Sequence, residues 1–332
     1  VEQGGHVVKH LFIVNPAAGG KKNRHEDTVR HIHDVMESFS EPHEIYITIA
    51  PMDACDKIKT EAESGEPLRV YACGGDGTLN ECINGAAGFP HVAVTHYPTG
   101  TGNDFVKMFG PEDEAKFRDL RLLLGGFERP VDLIELQTPA GDGRFGVNIC
   151  SVGIDARIGT DVHKYSRIPL IGGATGYVVS MFVNLMRGVN QRLKITTAEL
   201  SLDGSFALVC ACNGRFYGGG FNPVPEALPD DGIIEFLIVK EVTRLKFIRV
   251  VGKYAKGKYR EFSDIITHLR GNTMRIESET ELAVNVDGEL IRAKDIIFKL
   301  IRGGVNFFFP SGMVFFKSRD INSAAISSKR EI

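Results

Sequence analysis

Two aspartates, Asp76 and Asp104, each lie in a run of glycines and small polar residues, Gly74-Gly75-Asp76-Gly77-Thr78 and Pro98-Thr99-Gly100-Thr101-Gly102-Asn103-Asp104. A third run, Asn15-Pro16-Ala17-Ala18-Gly19-Gly20, has the same texture and is followed by Lys21 and Lys22. Backbone N–H groups in such loops, joined to a helix N-terminus, make a cradle for anions. A carboxylate beside a bound phosphate is repelled unless a cation stands between them, and Mg²⁺, which binds carboxylates and phosphate oxygens together, fills that place. Each loop alone reads equally well as an ordinary strand-to-helix connection, and each Asp as a turn or helix cap. Two aspartates in three similar loops favour the phosphate reading.

The elements around these loops put them at one edge. Leu11–Val14, Leu68–Cys73 and Val92–Val94 read as short apolar strands, and Glu44–Ile49 as an alternating one. Between them come helical patterns: Val29, Ile32, Met36 and Phe39 on one stripe, Asp53–Ser64, and Leu79–Ala87. Alternation of this kind predicts a doubly wound, mostly parallel sheet, whose ligands bind outside the carboxyl ends of the strands. All three loops leave such ends.

After Arg129-Pro130 the texture changes. Val131–Leu136, Phe145–Ile154, Leu193–Leu202, Phe206–Cys212, Ile233–Val239, Met274–Glu277, Leu282–Val286 and Ile296–Leu300 read as strands, with helices only near 176–187 and 244–254. The expected fold is therefore an α/β nucleotide-binding domain over 1–130 and a mainly antiparallel β-sandwich over 131–304. The segment at about 305–320 can return to the first domain, and the Ser- and charge-rich end beyond it reads as disordered.

The common nucleotide signatures are absent. No G-x-G-x-x-G follows a strand, and Gly252–Tyr259 imitates a P-loop only by chance. The three loops together resemble instead the catalytic domain of diacylglycerol kinases, most closely the soluble bacterial lipid kinases, whose fold is NAD kinase-like. Later segments carry the resemblance on in the same order: Val131-Asp132, Pro229-Asp230-Asp231-Gly232 and Asn285-Val286-Asp287-Gly288-Glu289. It thus spans nearly the whole chain.

The resemblance implies a kinase that uses ATP and Mg²⁺ to phosphorylate a lipid hydroxyl, giving phosphatidic acid where the lipid is diacylglycerol. Asn15, Pro16, Ala17, Ala18 and Gly19 would cradle the nucleotide phosphates with Gly75, Asp76, Gly77, Thr78, Leu79, Asn80 and Glu81, and Thr48 and Thr101 would line the same site. Asp76 and Asp104 would hold the catalytic Mg²⁺. Leu228, Asp231 and Ile233 would hold a second, structural Mg²⁺ through two carbonyls and a carboxylate, a donor set of hard oxygens. Glu289 would be the general base and Asp132 its supporting carboxylate. Without the resemblance, both the Asp231 turn and the Asp287-Gly288-Glu289 tip read as plain hairpin turns.

Composition narrows the partners. A formal net charge of −3 over 332 residues argues against a nucleic-acid binder. The six cysteines form no CxxC pair, so buried free thiols in a reducing cytosol are expected. The longest apolar stretch, 177–186, is about half a bilayer span. A cytoplasmic protein that visits the membrane transiently is the expectation, and a homodimer is compatible with it. Lys240–Arg260 carries eight Lys or Arg against Glu241 alone; its Lys246, Arg249, Lys253 and Lys256 lie beside an apolar stripe of Phe247, Val250, Val251 and Tyr254. That arrangement fits docking on anionic lipid and equally a solvated face on a packed helix. His163–Arg167 is a second basic candidate. Two rivals stand beside the lipid kinase: an NAD kinase-like enzyme of the same superfamily, and a nucleotide-binding regulatory module without catalysis.

Overall fold

The computed structural model describes residues 8–19, 24–141, 143–153 and 190–316. Lys21, Lys22, the His163–Arg167 cluster, the helix expected near 176–187 and the Ser-rich end lie outside these residues. The chain divides into two compact units, Val1–Pro130 with Val305–Ile332, and Val131–Gly304.

In the first unit, β1 (Lys9–Val14), β2 (His43–Ile47), β3 (Leu68–Gly74) and β4 (Val92–Pro98) alternate with α1 (Arg24–Met36), α2 (Asp53–Ala62) and α3 (Asp76–Ala86). Every pairing is parallel, and the order is β2-β1-β3-β4. β1 is apolar from Leu11 to Val14 because both its faces are covered: these residues are buried without a break, and Ile32, Val35 and Met36 of α1 and Ile58 of α2 are buried too, whereas β2 at the sheet edge is mixed in composition and has no buried residue. Three short helices follow, α4 (Asp104–Lys107), α5 (Pro111–Lys116) and α6 (Leu120–Leu124), none of them foreseen. Pro111 begins α5, where its missing N–H costs nothing, and the Asp119 carboxylate caps α6 by accepting from Arg121 and Leu122 N–H.

The second unit is built from β5 (Phe127–Gln137), β6 (Arg144–Gly146), β7 (Ile149–Gly153), β8 (Gln191–Thr196), β9 (Ser201–Cys212), β10 (Ile234–Lys240), α7 (Arg244–Tyr254), β11 (Ile266–Gly271), β12 (Thr273–Val286) and β13 (Glu289–Phe309). Its pairings are antiparallel, in the order β11-β10-β9-β7-β12-β13, with β8 bonded to both β9 and β12. Period-2 alternation sends Ile234, Phe236 and Ile238 of β10 into one core, and Leu237 and Val239 into another that α7 covers. Cys210 and Cys212 share that second core, and all six cysteines are buried thiols outside any disulfide.

Several strand limits differ from expectation. The segments expected at 193–202 and 206–212 break instead at the 197–200 turn, where Thr197 Oγ1 accepts from Glu199 and Leu200 N–H. The segments at 274–277 and 282–286 are one strand, β12, interrupted only by a register shift between Glu277 and Leu282. β13 runs on to Phe309, where Asn306 and Phe307 pair in parallel with Ala93 and Val94 of β4. The first unit's sheet thus gains a fifth strand, and Phe307 packs among Phe105, Phe117 and Phe309.

Candidate active site

With order β2-β1-β3-β4, the connections leaving β1 and β3 run to opposite faces, and a crevice opens between the carboxyl ends of those two strands. Asn15 follows β1 and Gly75 follows β3. The Asn15 side chain bridges the crevice: its Nδ2 donates to Thr78 Oγ1 at 3.0 Å, and its Oδ1 accepts from Ala17 N–H at 2.9 Å. The first loop is thereby turned at Pro16–Gly19 and tied to the start of α3. No side chain caps α3, because its N-cap is Gly75. Its leading N–H groups and positive dipole end face the crevice mouth, which suits a phosphate.

The third loop lies against the second. A Cβ on Gly100 would stand 2.5 Å from Gly75 Cα, and one on Gly74 would stand 2.2 Å from Thr78 Oγ1. Only glycine permits this approach. The Gly74 carbonyl accepts from Thr99 N–H (2.9 Å), Gly100 N–H (3.0 Å) and His96 Nε2–H (3.1 Å). His96 is fully buried, and burial pushes its pKa down to about 4, so it donates as the neutral ring. Asp104 N–H donates to Asp76 Oδ1 at 2.6 Å, which sets the two carboxylates in one corner. Gly102 faces that corner as well, since a Cβ there would be 2.4 Å from Asp76 Oδ2. Lys107, one turn along α4, holds Asp104 Oδ1 at 2.6 Å. Two carboxylates at the mouth of an anion cradle form the donor set that a hard divalent cation takes. Of the other expected residues, Thr48 is buried just past β2, with its N–H on Val14 carbonyl, and Thr101 is exposed. Leu79 and Asn80 are buried in α3, and Glu81 is half-buried.

In the second unit, Asp132 is buried and both its oxygens accept backbone N–H groups, Gly232 on Oδ2 (2.7 Å) and Gly303 on Oδ1 (2.8 Å). Asp132 N–H donates in turn to Pro229 carbonyl at 2.7 Å. These bonds fix the Leu228–Ile233 turn, in which Gly232 takes a positive φ of 74° and Asp231 Oδ1 accepts from Ile233 N–H. Burial pushes the Asp231 carboxyl above its usual range, against the Ile233 N–H bond and the Arg270 guanidinium 3.9 Å away, which pull it down. The Asp231 carboxylate and the turn carbonyls are hard oxygens of the kind a divalent cation takes, so these residues fit one.

Asp287 and Gly288 form the two-residue tip of the β12–β13 hairpin, with φ of 51° and 102°. The Asp287 carboxylate accepts three successive N–H groups, from Val147 (2.6 Å), Asn148 (3.1 Å) and Ile149 (2.9 Å). Asn213 Nδ2 then joins Val147 carbonyl to Asp132 carbonyl, at 2.8 Å each. Asp287, Asn213 and Asp132 thus make one chain of bonds from the hairpin tip to the Asp231 turn. Glu289 begins β13, half-buried, with no ion-pair partner among the described residues. The carboxylate pair expected of Asp132 and Glu289 is not closed by a hydrogen bond; Asp132 is engaged with backbone instead.

Residues 9–136 match the diacylglycerol kinase catalytic domain family, and residues 148–306 match the YegS C-terminal NAD kinase beta sandwich-like domain. The chain belongs to the diacylglycerol kinase-like family of lipid kinases. It is 27% identical to the diacylglycerol kinase of Bacillus subtilis, over 84% of this chain and 88% of that one. It is 29% identical to a protein of Chromohalobacter salexigens named "Probable lipid kinase YegS-like", over 77% and 80%. In fold it is similar to the crystal structure of a diacylglycerol kinase from Bacillus anthracis, with a TM-score of 0.65 at 23% identity, covering 92% of this chain and 98% of that one.

Within this lipid-kinase framework, Lys107, His96, Asn213 and the carboxylate of Asp287 are the site-building residues that sequence reading did not single out. Only Lys107 had a local signal, standing three residues after Asp104. The basic segment forms α7 as expected, but its apolar stripe turns inward: Val250 and Tyr254 are buried, and Phe247 packs on the same core. That stripe does not face lipid. No described helix is long and apolar enough to cross a membrane.

Proposed function

We propose that this protein transfers the γ-phosphate of ATP to the hydroxyl of diacylglycerol, or of a closely related lipid. The observation that carries the proposal is the corner made by Asp76 and Asp104, joined through the 2.6 Å bond from Asp104 N–H, at the mouth of the Asn15–Gly75 crevice. Backbone N–H groups of the first loop and of α3 hold the phosphates, and the tight Gly75–Gly100 approach keeps both loops in one geometry. Asp76 and Asp104 would hold Mg²⁺, which would supply the positive charge that lets phosphates lie beside these carboxylates. Glu289 takes the proton of the acceptor hydroxyl; since little proton is lost before a loose phosphoryl transition state, a carboxylate is basic enough. Asp132 acts through the backbone it fixes, and the Asp231 turn would hold the second Mg²⁺.

Incubating the protein with labelled ATP, Mg²⁺ and a panel of diacylglycerol, phosphatidylglycerol, sphingoid base and NAD tests this reading. Label in phosphatidic acid is expected. Label in NAD, or in no acceptor at all, refutes it.

A further inference from the structure

The outward arc of α7 is accounted for neither by the fold nor by the proposed chemistry. Leu245 and Ile248 are 71% and 55% exposed, among the few large apolar side chains that the described residues leave in solvent. Leu245, Ile248, Arg249 and Gly252 recur at helical spacing on one face, all exposed, and Lys256 just past the helix is exposed too. Charge divides in the same way. Lys246 is paired with Asp264 at 2.9 Å and Lys253 with Glu261 at 2.7 Å, whereas Arg249 and Lys256 have no ion-pair partner among the described residues.

The helix contains no acidic residue, and Arg244 and Lys246 occupy its first turn. Lys246 is neutralised there by Asp264, so the unpaired charge on this face, among the described residues, is that of Arg249 and Lys256, beside the exposed Leu–Ile pair. Two cations flanking two aliphatic side chains complement a surface that is anionic outside and apolar within. We propose that the Leu245–Ile248 face of α7 seats the second unit on an anionic phospholipid bilayer, with the two aliphatic side chains in the acyl boundary and Arg249 and Lys256 on lipid phosphates. Its purpose rests on the lipid-kinase reading; the binding itself does not.

The test is co-sedimentation of the full chain with phosphatidylglycerol–phosphatidylcholine vesicles and with phosphatidylcholine vesicles. The wild type is expected to bind the anionic vesicles, less so as salt rises. Leu245→Ser/Ile248→Ser and Arg249→Glu/Lys256→Glu are each expected to weaken that binding by about tenfold or more. All these residues are exposed, so thermal melts should match the wild type. Phosphorylation of a water-soluble short-chain diacylglycerol should stay unchanged while phosphorylation of vesicle-borne lipid falls. Vesicle binding equal to wild type in both variants overturns the proposal. So does a wild-type dimer that Leu245→Ser/Ile248→Ser splits in sedimentation velocity, because the face then belongs to a second copy. Lost vesicle binding by an enzyme inert toward every diacylglycerol would sink the kinase reading and leave the docking surface standing.

Discussion

Gly102 and His96 show how single residues set the nucleotide rim without touching a ligand. A methyl group on Gly102 would stand 2.4 Å from Asp76 Oδ2, so Gly102→Ala must displace the carboxylate or the loop. Shifts of about 1 Å at such a centre cost roughly 100-fold in rate. Gly102→Ala is therefore expected to melt near the wild type yet phosphorylate lipid about 100-fold more slowly, as single-turnover kinetics would read. His96 acts on stability through pH. Its folded pKa of about 4 lies below the ordinary 6.5, so the unfolded chain binds the extra proton first. The neutral ring's contribution is complete above pH 6.5 and is lost as pH falls toward 4, by about 3 kcal/mol in all. Urea melts of His96→Phe across that window should show a flatter decline than the wild type. The buried His10, whose pKa burial also lowers, contributes alike to both proteins and cancels in the comparison.

Elements turn on a few side chains that span long stretches of sequence. Asp287 holds the β6–β7 connection from 140 residues away. Asn at that position keeps the positive-φ turn but presents one acceptor oxygen and no charge, so Asp287→Asn should lose about 1–3 kcal/mol in urea unfolding. The three glycine loops were legible in the sequence because their requirements are local: glycines where chains touch, and an Asp at the start of the helices that follow the second and third loops. The Asp287 clamp and the Asn213 bridge were not, since nothing near them in sequence signals their partners. Nor was the orientation of α7. Its limits follow from spacing, but Phe247 and Ile248 are equally apolar, and only packing on β9 and β10 decides which is covered. β12 and β13 looked like short strands because polar stretches separate their apolar runs; in β12 that stretch falls in the register shift, after which the pairing resumes.

At the scale of the whole chain, the proposed chemistry draws on residues of both units, and mutation can separate their tasks. Glu289→Ala is expected to abolish lipid phosphorylation, by roughly 100-fold or more, with MgATP affinity unchanged in calorimetry. Retained turnover would remove Glu289 from the reaction. The order of synthesis matters too. The first unit's sheet is completed by Asn306 and Phe307, which leave the ribosome only after the whole of the second unit. Until then β4 is a bare edge, and Phe105 and Phe117 lack their cover. A nascent chain therefore passes through a long interval in which its first unit is unfinished and prone to pair with neighbours, and chaperone demand should peak before residue 309 emerges.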